Sequence, residues 1–170
     1  MKLYIQDSKD QNVSRFLIYD SLSKLKYRTS VEYAPLTVKM DVYDNNHRVA
    51  KIRKRDILFL KTYTISALTK KIKVIGKLSD SEIMFYINGI NWFFAGEILK
   101  KDFSVVNVDN SIVMSHRAKW SSGKVYYELD VSDNQNELLC VCIALCIDML
   151  EVDTEFSKSE KFKNPMGNIT

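Results

Sequence analysis

Residues 138–147 read LLCVCIALCI, ten consecutive apolar residues that are followed by Asp148, Met149 and Leu150. A helix that is apolar on every side is stable only where it is buried on every side or lies in a membrane. Crossing a bilayer takes about 20 apolar residues, whereas a run of about 10–14 is typical of a core helix. The run therefore predicts a buried helix at about 133–150. At roughly 1.5–3 kcal/mol per large apolar side chain, its burial would be a main source of stability.

The predicted helix has a start signal in front of it and a polar stretch behind it. Ser132 and Gln135 have the three-residue spacing of a capping box. After Leu150 the chain is rich in Lys, Glu, Ser and Asn, which predicts a polar, flexible tail at 153–170. Because the chain has 170 residues, the length of one domain, we predict a single domain at 1–152.

The chain before residue 132 has the pattern of β-strands. Apolar residues, many of them β-branched or aromatic, alternate with polar residues over strand-length segments. Several of these segments are separated by turns that contain Asn, among them Asp44-Asn45-Asn46, Asp109-Asn110 and a two-residue Asn88-Gly89 hairpin. We predict twelve strands, at Lys2–Gln6, Val13–Tyr19, Leu25–Tyr33, Leu36–Tyr43, His47–Arg55, Leu60–Ile65, Lys70–Lys77, Glu82–Ile87, Asn91–Leu99, Phe103–Val108, Ser111–Lys119 and Lys124–Val131.

The connections between these strands are short, and short connections require antiparallel pairing because parallel neighbours need a long crossover. One face of a sheet cannot cover a helix that is apolar all round, whereas a sheet closed around the helix can. The predicted fold is therefore mainly β: a closed antiparallel barrel of about 12 strands around a buried hydrophobic C-terminal α-helix.

The positive charge of the chain is concentrated in one window. The net charge is +4, but residues 48–77 hold ten basic residues and one acidic residue, which gives this window +9. Alternation puts Lys51, Arg53 and Arg55 on one face of one predicted strand, and Lys71 and Lys73 on one face of another. We call these five residues the basic face and predict that they bind a negatively charged ligand. The alternative is that the charges serve solubility alone.

Three segments carry a resemblance to a known family: VAKIRK at 49–54, AKWSSGKVYYEL at 118–129 and ALCID at 144–148. They combine a basic-Trp strand end, a short Ser/Gly turn, a Tyr-containing strand and an apolar helix with a late Asp. The chain resembles the Tubby C-terminal-like superfamily and, within it, the LURP-one-related family of small bacterial and plant proteins. The resemblance covers the chain to about Leu150. It implies a closed barrel threaded by the C-terminal helix, and kinship with phosphoinositide-binding tubby proteins and phospholipid scramblases.

No pattern in the sequence indicates catalysis. P-loop, dinucleotide-binding, zinc-protease, serine-hydrolase and EF-hand motifs are absent. His47 lies at a turn and His116 within a strand, where a structural role is expected for each, and no base is paired with a Ser or Cys nucleophile. We therefore expect no catalytic residue, no metal, no cofactor and no enzymatic activity.

The cysteines and the N-terminus indicate where the protein works. The three cysteines lie in the apolar run without C-x-x-C spacing, so we expect free, buried thiols at Cys140, Cys142 and Cys146. Free thiols are typical of a reducing compartment, and no apolar signal segment begins the chain. We expect a cytoplasmic protein that is peripheral to the membrane, with no transmembrane segment.

Aromatic residues and Asp148 are further candidates for ligand contact. Trp92 and Phe94 share one strand face and Phe93 lies on the other, where it would add an exposed ring to the surface. Basic residues beside exposed rings suit an anionic membrane surface, and they also suit single-stranded nucleic acid. Asp148, at the end of a buried helix, is either a paired structural carboxylate or a group that orients a ligand at the barrel rim.

We conclude from the sequence that the chain is a non-enzymatic module that binds a partner through the basic face. The partner is an anionic membrane surface, bound through its phosphorylated headgroups, or another acidic molecule. One alternative is a structural or protein-interaction scaffold without lipid binding, whose protein partner the sequence does not identify. The other is single-stranded nucleic-acid binding, which we regard as the weaker partner assignment.

Overall fold

The computed structural model describes residues 1–8, 15–57, 60–78, 83–121 and 123–163. Within them the chain forms twelve strands and one long helix, α1 (Glu137–Lys163), with short 3-10 turns at Ile98–Lys100 and Asn134–Asn136. The strands are β1 (Lys2–Asp7), β2 (Phe16–Asp20), β3 (Leu25–Ala34), β4 (Thr37–Asp44), β5 (His47–Ile57), β6 (Leu60–Ala67), β7 (Lys70–Leu78), β8 (Ile83–Asn88), β9 (Trp92–Glu97), β10 (Asp102–Asn107), β11 (Ile112–Ser121) and β12 (Lys124–Val131).

The strands form one antiparallel sheet that wraps into a nearly closed barrel. The order across the sheet is β8-β7-β6-β5-β4-β3-β2-β1-β12-β11-β10-β9, and every neighbouring pair is antiparallel. Each predicted strand overlaps one observed strand, so the predicted fold class is confirmed. The Asn turns are confirmed too, because Asn45 and Asn110 adopt left-handed φ angles of 54° and 63°.

The predicted Asn88-Gly89 hairpin is wrong, because β8 and β9 lie at opposite ends of the strand order and no ladder joins them in the described residues. Gly89 does turn the chain, with φ at 100°, but it packs tightly against β7. A Cβ at this position would be 3.1 Å from the carbonyl oxygen of Lys71. The turn therefore folds over β7 and leaves a seam between β8 and β9. The rings of Phe85 and Phe94, 6.0 Å apart, pack edge to face across this seam.

The barrel interior is filled by α1, which confirms the predicted buried helix. Every side chain from Leu139 to Ile147 is at most 4% exposed. Inward residues of the strands, such as Ile52 and Ile65, complete the core and alternate with outward polar residues. The three cysteines are free and buried, as predicted. Burial raises the pKa of Cys140 to about 12 and raises the pKa values of Cys142 and Cys146 as well.

Both ends of the helix differ from the sequence prediction. Asp133 caps the 3-10 turn that leads into α1, and its carboxylate accepts a hydrogen bond from the backbone N–H of Gln135, whereas the Ser132 hydroxyl donates to the carbonyl of Ile112. The helix ends at Lys163 and so extends into the segment for which the sequence predicts a tail. Residues 151–163 hold neither Gly nor Pro, which favours helix. Residues 164–170 of the predicted tail lie outside the described residues.

In the part of the chain that the structure describes, no helix combines the length and the apolar character needed to cross a bilayer.

Replacing Leu145 by Ala tests whether α1 supports the barrel. Leu145 is fully buried, so we expect Leu145→Ala to lower the free energy of unfolding by about 2–5 kcal/mol, because it removes buried surface and leaves a cavity. The matched control is Leu22→Ala, at a turn residue that is 86% exposed, for which we expect a change below about 0.5 kcal/mol. Urea unfolding measures both. Equal effects of the two substitutions would contradict the buried position of α1.

Candidate functional site

The five residues of the basic face lie together on the outer surface of the barrel. Three come from β5, where they alternate with inward-facing residues, and two come from β7. Lys51 is half-buried and the other four side chains, Arg53, Arg55, Lys71 and Lys73, are exposed. The structure therefore brings together all five candidate residues that the sequence singled out.

The sheet register aligns these cations in rows across three strands. Arg53 of β5 lies opposite Thr64 of β6, which lies opposite Lys73 of β7. In the next row Lys51, Ser66 and Lys71 are aligned in the same way. Since neighbouring strands are about 4.8 Å apart, each row sets two cations about 10 Å apart with a hydroxyl between them.

Neighbouring charges leave the basic face largely unneutralised. None of its five residues forms an ion pair within the described residues. Asp41 lies opposite Lys51 in the register, but its carboxylate is 3.7 Å from Arg48. The face can therefore offer Lys ammonium groups, planar Arg guanidinium groups and hydroxyl donors to phosphate oxygens.

Lys54 belongs to the same basic window but not to the basic face. It points into the barrel, is 3% exposed and lies 3.0 Å from the carboxylate of Asp56. Burial lowers the pKa of Lys54, although the hydrogen bond to Asp56 acts in the opposite direction. Strand alternation thus divides the basic run 53–55 between the outer surface and the interior.

A patch of exposed apolar side chains borders the basic face. Met84, Tyr86 and Phe93, which we call the seam patch, lie on β8 and β9 and are each about half exposed. In the register, Met84 lies opposite Lys77 of β7 and Tyr86 lies opposite Ile75. The sequence assigned Phe93 correctly to the face opposite Trp92, which is buried in the core.

Inside the barrel, four polar side chains form a buried polar cluster: Lys101, His116, Tyr127 and Asp148. Asp148, which is 2% exposed, lies 3.4 Å from both Lys101 Nζ and His116 Nε2. His116 Nδ1 donates to the carbonyl of Lys101 at 3.0 Å, and Lys101 Nζ donates to the Tyr127 hydroxyl at 3.1 Å. The rings of Phe103 and Tyr127 stack on the imidazole of His116.

This geometry matches the first of the two roles considered for Asp148, a paired structural carboxylate. The cluster ties α1 to β11, to β12 and to the residue before β10, with little access for water. The sequence pointed to Asp148 because a charge in an apolar run needs a partner. It did not identify Lys101 or Tyr127, since these partners come from turns and strands distant in the chain.

Among the residues that the structure describes, no group of three or more His, Cys, Asp or Glu side chains is close enough together to hold a metal ion.

Comparison with known proteins gives consistent results at three levels. The model of the family described as LURP-one-related matches residues 1–148. The uncharacterized protein YxjI of Bacillus subtilis (strain 168) is 24% identical over 157 residues, which are 91% of this chain and 96% of the relative. An X-ray structure of a protein from Arabidopsis thaliana aligns with a TM-score of 0.54 at 14% identity, and covers 87% of this chain and 90% of that chain. At 14% identity, the similarity to this plant protein shows a shared fold alone.

Neutralising Asp148 tests the buried polar cluster. We expect Asp148→Asn to lower the free energy of unfolding by about 3–5 kcal/mol, because it removes the buried carboxylate that faces the Lys101 ammonium and His116. The double variant Lys101→Met, Asp148→Leu should recover most of that loss, since it removes both charges. The control is Glu97→Gln, which breaks the exposed 2.7 Å pair with Lys100 and should cost less than about 1 kcal/mol. Urea unfolding measures all three. A loss of unfolding free energy in Asp148→Asn as small as that in Glu97→Gln would contradict the pairing of Asp148 with Lys101 and His116.

Proposed function

The chain belongs to the LURP-one-related family, and on this premise we propose that it is a non-enzymatic module whose basic face binds the phosphorylated headgroups of an anionic membrane surface. The proposal places the protein in the cytoplasm, where free thiols such as those of the helix persist. The membrane contact is peripheral and reversible.

The observation that carries the proposal is the set of five outward cations on β5 and β7, with hydroxyl side chains of β6 between them. A basic residue close to an anionic bilayer contributes about 1 kcal/mol, so five contribute on the order of 5 kcal/mol. The sheet fixes the backbone positions of these residues in rows, so only their side chains have to become ordered on binding. Charges that serve solubility alone are usually interspersed with charges of the opposite sign, whereas these five cations form a field of a single sign.

The seam patch favours a membrane over a nucleic acid as the anionic partner. Its β8 residues, Met84 and Tyr86, lie next to β7 at the border of the basic face and not between its cations. At a bilayer surface, rings and apolar side chains enter the headgroup boundary while neighbouring Lys and Arg meet phosphates. Single-stranded nucleic acid is bound where bases stack on rings within a cationic groove, and the basic face carries hydroxyls at that position.

Co-sedimentation with vesicles tests the proposal. We expect the protein to pellet with vesicles of phosphatidylcholine mixed with phosphatidylserine or a phosphoinositide, and not with phosphatidylcholine alone. Reversing three charges with Lys51→Glu, Arg53→Glu and Arg55→Glu should weaken the binding by about a hundredfold or more, because each reversal removes at least one favourable charge contact. Raising the salt concentration should also weaken it.

The matched control carries the same change in net charge at scattered sites, with Lys24→Glu, Lys100→Glu and Arg117→Glu. It should bind much more tightly than the basic-face variant, and circular dichroism should show that both variants are folded. Binding to neutral and anionic vesicles alike, or equal losses in the two variants, would contradict the proposal. Binding of single-stranded nucleic acid in place of vesicles would favour the rival assignment.

A further inference from the structure

A groove runs over the outer surface of β2, β1 and β12, on a part of the barrel that β3 and β4 separate from the basic face. It consists of two adjoining cavities of about 500 and 540 Å3 that share three lining residues, Gln6, Lys124 and Val125. Three tyrosines line it, and we call it the tyrosine groove: Tyr4, Tyr19 and Tyr126.

The three tyrosines offer both rings and hydroxyls to a ligand. Tyr4 lies opposite Tyr19 in the register, and its ring meets that of Tyr126 edge to face at 5.8 Å. All three side chains are half-buried, which fixes the rings against the sheet. Within the described residues none of their hydroxyls has a hydrogen-bond partner, so each can donate to a ligand.

One cation lines the groove, and an exposed ring lies near it. Trp120, which is 76% exposed, lies opposite Val125 in the hairpin of β11 and β12 but is not one of the lining residues. Lys124 is the cation that lines both cavities, while Asp7 lies 2.8 Å from Arg15 and is neutralised by it. The groove is thus amphipathic with one available positive charge, unlike the basic face.

We propose that the tyrosine groove binds a proline-rich segment of a partner protein in the polyproline II conformation, with an acidic residue of that segment next to Lys124. Grooves lined with aromatic residues recognise such segments because pyrrolidine rings pack on aromatic faces. A polyproline II chain has no internal hydrogen bonds, so its carbonyls are free to accept from the tyrosine hydroxyls. Its stiffness also lowers the entropy lost on binding.

The dimensions agree with this ligand. The three tyrosines lie on three adjacent strands, which span about 10 Å across the sheet. Tyr126 lies two residues along β12 from Glu128, the residue opposite Tyr4, so Tyr19 and Tyr126 are about 12 Å apart. Four residues of polyproline II rise about 12 Å, so a segment of this length reaches from Tyr19 to Tyr126. The segment at 118–129, which carries the family resemblance, supplies one wall of the groove. The proposed membrane contact does not use this segment.

Titration with synthetic peptides tests this inference, with calorimetry and the emission of Trp120 as readouts. The probes are a polyproline peptide with a terminal glutamate, the same peptide with a terminal lysine, and a glycine-serine peptide with a terminal glutamate. We expect saturable binding of the glutamyl polyproline, weaker binding of the lysyl form and none of the glycine-serine peptide. Lys124→Glu should reverse the preference between the two polyproline peptides, so that the ratio of their affinities changes by about tenfold.

The triple variant Tyr4→Phe, Tyr19→Phe, Tyr126→Phe removes the three hydroxyls and keeps the rings in place. Its affinity for the glutamyl polyproline peptide should be about tenfold or more below that of the parent. The control, Tyr33→Phe and Tyr43→Phe at tyrosines outside the groove, should bind as the parent does. Unchanged unfolding midpoints show that each variant is folded. No saturable binding, equal binding of the glycine-serine peptide, equal losses in the groove variant and the control, or binding of a maltooligosaccharide in place of the peptide would overturn the inference.

Discussion

The burial of α1 on every side is the interaction on which the rest of the structure depends. Nine successive residues, Leu139–Ile147, have almost no contact with solvent, and only a sheet that curves round them can provide that cover. The curvature commits one face of each strand to the core. The opposite face is then free of packing constraints, and all of the candidate binding surfaces lie there.

A carboxylate with hydrogen-bond or charge partners lies at each end of the apolar run. At the start, Glu137 accepts from Tyr27 at 2.8 Å and from Lys26 at 2.7 Å. Near its end, Asp148 faces Lys101 and His116. A buried carboxylate without partners would cost several kcal/mol, so each end of the helix is tied to specific strands. The pairs thereby fix the position of the helix along the barrel axis, which apolar packing alone specifies weakly.

The sequence was sufficient for the parts of this arrangement that depend on local pattern. The twelve strands and the outward direction of Lys51, Arg53 and Arg55 follow from alternation, and the buried helix follows from its unbroken apolar run. The Asn88-Gly89 hairpin was wrong because strand pairing at the seam is decided by closure of the whole sheet and by the contact of Gly89 with β7. The partners of Asp148 could not be predicted either, since Lys101 enters the interior from a left-handed turn position that no local pattern marks.

Hydrogen exchange of the backbone amides in α1 tests most directly whether the helix is the sealed axis of the barrel. If it is, amides between Leu139 and Ile147 exchange only when the whole domain unfolds, and their opening free energy equals the free energy of unfolding from urea titration. Exchange of these amides through a smaller opening, with a free energy below that of the surrounding strands, would show that the helix leaves the barrel independently and would contradict this architecture.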